Sequence, residues 1–98
     1  MLVHSVFFWL KSDLDESQRA AFSQGVDSLA GISCAEGVYI GTPADTDRPV
    51  IDKSYDIGLT VLLKDMAAHD AYQVDPLHLA FLDQFRTYWE RVVIYDVD

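Results

Sequence analysis

The chain has 98 residues, half of them apolar, and a formal net charge of −9. That length suits one compact domain over residues 1–98 with a single hydrophobic core, and argues against a second. The acidic side chains are dispersed rather than gathered in runs, so the surface repels nucleic acid and anionic lipid, and neither is an expected partner.

The first element is the stretch from Leu2 to Leu10, apolar at both alternating sets of positions except at His4 and Ser5. This pattern predicts a strand covered on both faces. No basic segment precedes it and Lys11 ends it, so it is read as neither a signal peptide nor a membrane span. A helix follows, with Asp13 as its expected cap, Glu16 three residues on, and Phe22, Val26 and Leu29 as its buried stripe. Gly31 is expected to end it in the left-handed conformation that glycine tolerates. Cys34 is the only cysteine, which excludes an intramolecular disulfide, agrees with a reducing, cytoplasmic location, and reads as a small buried apolar residue.

Residues Ala35 to Gly41 predict a second strand, and the stretch from Thr42 to Lys53, with two prolines and several aspartates, predicts an exposed connection. From Tyr55 to Leu63 the alternation of Ile57, Leu59, Val61 and Leu63 with more mixed residues predicts a third strand. Asp65 caps a short helix through Tyr72. Asp75 and Pro76 start another, since proline is tolerated at the first helical position, and Leu77, Phe81 and Phe85 then recur every four residues. Arg91 to Val97 reads as the closing strand.

The order β-α-β-β-α-β is the ferredoxin-like α+β pattern, with helices on one face of an antiparallel sheet. A first strand that is apolar on both sides then leaves one face uncovered, and a second copy of the same sheet is the simplest cover. Homodimerisation through sheet faces, giving a dimeric α/β barrel, is therefore expected. If His4 points at the helices, Phe7 and Trp9 point at the partner.

His4, Ser54-Tyr55-Asp56, Tyr72, Asp75-Pro76-Leu77-His78 and the run from Trp89 to Asp96 resemble the stress-responsive dimeric A/B barrel family over nearly the whole chain, and also a plant polyketide cyclase of the same fold. The resemblance implies a dimer with facing sheets and, as in the cyclase, a pocket between each sheet and its own helices. It also implies catalytic roles for Tyr72 and His78, whose counterparts act in an aldol-type ring closure. An imidazole can take a proton next to a carbonyl while a phenol holds the developing oxyanion. Both residues can equally be ordinary partners in the seam between helix and sheet. His4 aligns with a further pocket histidine of the cyclase. Ile57 and Val26 stand where the cyclase has a histidine and a tyrosine, so these two ligand-binding positions are apolar here and the cyclase's own hydroxylated substrate is not expected.

No metal is expected, because His4, His69 and His78 lack the close paired spacing of a zinc site and the loop aspartates lack the calcium-loop pattern. His69 reads as a solvated residue, and no cofactor is implied. Three functions remain open: a dimer binding a small apolar or carbonyl-bearing metabolite through His4, Tyr72 and His78; a cyclase or lyase using Tyr72 and His78 as acid and base; and a stress-related structural protein without pocket chemistry.

Overall fold

The computed structural model describes residues 1–98. Its elements are β1 (Leu2–Leu10), α1 (Glu16–Ser28) running into a short 3-10 turn (Leu29–Gly31), β2 (Ala35–Gly41), β3 (Ile57–Leu63), α2 (Met66–Gln73), α3 (Pro76–Phe85) and β4 (Trp89–Val97). The strands form one antiparallel sheet in the order β2-β3-β1-β4, which is the ferredoxin-like fold. No helix is long and apolar enough to cross a membrane.

Register sorts the side chains of β1 cleanly. Leu2, His4, Val6, Phe8 and Leu10 are buried beneath the helices, whereas Val3, Ser5, Phe7 and Trp9 lie on the opposite face. In β3 the same division buries Ile57, Leu59, Val61 and Leu63. Phe22, Val26 and Leu29 from the first helical region, with Phe81 and Phe85 of α3, complete the core. The approach of α1 to α3 is close enough that a Cβ on Gly25 would stand 2.2 Å from Cε2 of Phe85.

Two local expectations are corrected. The cap of α1 is Asp15 rather than Asp13: its carboxylate accepts from the Gln18 amide at 2.8 Å, and its own amide donates to the Gln18 side chain at 2.9 Å. Asp15 with Gln18 thus forms the reciprocal pair that the sequence pattern also allows for Asp13 with Glu16. Gly31 is not a left-handed cap, because no residue of the chain has positive φ. The helix tightens into a 3-10 turn instead, which satisfies its last carbonyls without that conformation.

The face of the sheet away from the helices carries Phe7, Trp9, Tyr39, Leu62, Val93, Tyr95 and Val97 and has no element over it. Tyr39, Tyr95 and Val97 are exposed. Arg91 lies over the Trp9 ring at 4.3 Å, and Phe7, Trp9, Tyr55, Arg91, Val93 and Tyr95 surround a hollow of about 210 Å³ on this face.

Candidate functional site

On the helical side, β1, β3, β4, the 3-10 turn, α2 and α3 line a second cavity of about 220 Å³. Its lining is mostly apolar (Val6, Phe8, Leu59, Phe81, Val92 and Ile94 among others), with His4, Tyr72, Gln73 and His78 as the polar contributors. Val92 and Ile94 on the edge strand β4 are exposed, so the cavity is least covered along that strand. This second space, rather than the hollow on the open face, joins an apolar lining to converging polar groups, the combination expected of a small-molecule site.

The break between α2 and α3 sets the positions of Tyr72 and His78. Pro76 disfavours helical geometry at Asp75, whose backbone is extended at φ −59°, ψ 137°, and the Asp75 carboxylate caps the new helix by accepting from the Leu77 amide at 2.9 Å. The carbonyl of Gln73 therefore lacks its ordinary helical partner. His78 supplies one: Nδ1 donates to the Gln73 oxygen at 3.0 Å. A carbonyl only accepts, so the proton of the neutral ring lies on Nδ1 and the lone pair on Nε2. Burial pushes the His78 pKa below its ordinary 6.5, with the nearby His4 acting in the same direction against the Gln73 bond and Asp75. This keeps the ring neutral and its Nε2 available to accept a proton or a hydrogen bond.

Tyr72, the one buried residue of α2, has a fully buried side chain, and its ring lies 5.1 Å from that of His78 and 5.7 Å from that of His4. Its hydroxyl has no hydrogen-bond partner. Desolvation pushes its pKa up to about 12, helped by Cys34 and Asp75, so the phenol keeps its proton. A buried O–H without an acceptor costs about 1–3 kcal/mol, and such groups are rare enough to need an explanation.

His4 is 3% exposed. Its cross-strand neighbour is Asp96, and Nδ1 donates to the Asp96 carboxylate at 2.5 Å. His69 is not the solvated residue the sequence suggests: its ring packs edge-on to His4 with centroids 5.5 Å apart, and Nε2 lies 3.5 Å from the other Asp96 oxygen. His4, His69 and Asp96 come from β1, α2 and β4 and meet only through the fold, so no close spacing along the chain marks them as a group.

Thus His4, Tyr72 and His78 line one cavity together with Gln73, while Asp96 and His69 meet His4 outside its lining. Val26 and Ile57 do not border it. Val26 is fully buried in the core, and Ile57 sits at the start of β3 opposite Phe8. Asp96 was singled out in sequence only as the end of a run. The signal that finds it is strand pairing, since an antiparallel β1–β4 ladder sets it opposite His4.

The profile of the Stress responsive A/B Barrel Domain family matches residues 2–98. Olivetolic acid cyclase of Cannabis sativa is 26% identical over 94 residues, spanning 95% of this chain and 91% of the cyclase. A dimeric ferredoxin-like protein from Thermobifida fusca superposes with a TM-score of 0.79 at 20% identity, over 98% of this chain and 88% of that one. The hydroxynitrile lyase from Passiflora edulis gives a TM-score of 0.78 at 21% identity, over 98% of this chain and 90% of the lyase.

Proposed function

This chain belongs to the stress responsive A/B barrel domain family, and from that premise we propose that it is a homodimer joined through its open sheet faces, each copy binding a small carbonyl-bearing, largely apolar metabolite between sheet and helices. The observation that carries the ligand reading is the partnerless Tyr72 hydroxyl beside an apolar cavity. A carbonyl oxygen is the acceptor that this donor lacks, and the remaining lining suits a hydrocarbon or aromatic body. A cavity of roughly 150 Å³ accommodates benzene, so this larger one suits a single substituted ring. The dimer reading rests on the uncovered aromatic face and on the dimeric description of the Thermobifida fusca relative.

The experiment is a thermal-shift screen of aromatic and aliphatic carbonyl compounds against the chain and its Tyr72→Phe variant. Compounds that raise the Tm of the parent and not of the variant support the reading. A set that acts equally on both counts against it.

Acid–base chemistry is a second reading, favoured by the 5.1 Å approach of the Tyr72 and His78 rings and the lone pair left on His78 Nε2. In that reading Nε2 removes a proton from the carbon next to the bound carbonyl, and the Tyr72 hydroxyl donates to the oxygen on which the negative charge collects. The cyclase and lyase names of two relatives agree with this class of reaction. Turnover of a bound carbonyl compound that disappears in His78→Ala while the dimer persists is its expected signature.

A further inference from the structure

We propose that His4, His69 and Asp96 form a binding site for one divalent transition-metal ion of the zinc class, a site separate from the Tyr72–His78 pair and sharing only His4 with the cavity. The donor atoms of the three residues all lie within 4.8 Å of one another. Two imidazoles and one carboxylate make a donor set that suits zinc and its neighbours rather than magnesium or calcium, which prefer oxygen alone.

Beyond proximity, the hydrogen-bond partners of His69 bear on where its lone pair points. His69 Nδ1 faces the Asp70 carboxylate at 3.2 Å, and since a carboxylate only accepts, the tautomer that forms this shorter contact carries its proton on Nδ1. The other nitrogen, Nε2, then turns its lone pair toward the Asp96 carboxylate at 3.5 Å. An acceptor facing an acceptor is repulsive unless positive charge lies between them. A carboxylate holding one imidazole nitrogen while the other faces the ion is also the usual outer support of a metal-bound histidine. With metal–donor bonds of about 2.0–2.1 Å, tetrahedral donors stand about 3.3 Å apart. The His69–Asp96 separation already matches. The 2.5 Å contact of His4 Nδ1 with Asp96 opens modestly as the ion replaces the proton between them, and the His4 proton moves to Nε2. Asp96 and His69 are partly exposed, which gives an ion a route in, whereas His4 is buried.

A proton on His69 Nε2, in place of or in addition to the one on Nδ1, would also relieve the repulsion, and the protonic and metallic explanations separate on metal binding. Protein stripped with a chelator is titrated with zinc against a chromophoric competitor, in parallel with His69→Ala, His69→Gln, Asp70→Asn and Asp96→Asn, and each stripped protein is checked for a cooperative melt. The expected result is one zinc per chain, with affinity falling at least a hundredfold in His69→Ala and Asp96→Asn and about tenfold in Asp70→Asn. Cobalt in place of zinc should give the strong visible absorption of a four-coordinate ion. Weak binding by the parent, or tight binding that survives in folded His69→Gln, overturns the proposal. His78→Ala should retain zinc, so failure of the carbonyl-ligand reading and failure of this one are told apart.

Discussion

His78 leans back across the break between α2 and α3 and donates to the carbonyl of Gln73 at 3.0 Å, so the same proline that ends one helix fixes the tautomer of the cavity histidine. The orientation of His78 is thus set by backbone geometry that no change to the ring's other neighbours removes.

The first prediction concerns pH. The His78 pKa in the folded chain is depressed, chiefly by burial, so below about 6.5 the unfolded chain takes up the proton first. Stability is then greatest above that value and declines as pH falls toward the folded pKa. His78→Gln cannot take up that proton, and its Tm should fall less than that of the parent between pH 7 and pH 5. Parallel melting curves for the two proteins would show the contribution absent.

The second concerns the orphan hydroxyl. Tyr72→Phe deletes a buried donor without a partner, so the unliganded protein should gain about 1 kcal/mol, a rise of roughly 4–8 °C in Tm for a domain of this size. A loss of comparable size in calorimetry would mean that the hydroxyl is bonded in solution.

The third tests the contact between α1 and α3. Gly25→Ala gains about 1 kcal/mol of helix propensity but drives a methyl group into the buried Phe85 ring, an overpacking cost of about 1–3 kcal/mol. The net expectation is a lower denaturant midpoint, partly restored when Phe85→Leu is added. An increase in the midpoint from Gly25→Ala alone would contradict the packing described.

The fourth uses neighbouring residues that point to opposite faces. Tyr95 lies on the open face near Phe7, with ring centroids 6.5 Å apart, while Ile94 lies on the helical face and lines the cavity. Tyr95→Asp should weaken the proposed dimer by about 2 kcal/mol or more, roughly thirtyfold, as judged by sedimentation equilibrium. Ile94→Asp, equally charged, should leave assembly intact. Equal effects from both would point to a different interface.

The alternation through β3 and the four-residue recurrence of Phe81 and Phe85 are periodic signals, and each predicts its own element. The capping choice between Asp13 and Asp15 is not periodic. It depends on which carboxylate closes a reciprocal bond with the residue three positions on, and either aspartate satisfies the simple rule. Tyr72 and His78 lie within one local motif, so their meeting is readable along the chain. The His4–His69–Asp96 group is not, because strand register and the seating of α2 bring its members together. Val26 and Ile57 show the converse: positions matched to a relative's pocket occupy the packed core here.

The contact between His4 and Asp96 joins residues 92 positions apart, across the pairing of the first and last strands. Closing so long a loop is among the slow events of folding, and no fragment lacking either strand contains the pair. A metabolite or ion that depends on this corner therefore finds nothing to bind until the ladder has closed. Its effect should fall on the rate at which the finished domain opens rather than on the rate at which it forms, so that occupancy acts as a kinetic latch on the pairing of the first and last strands.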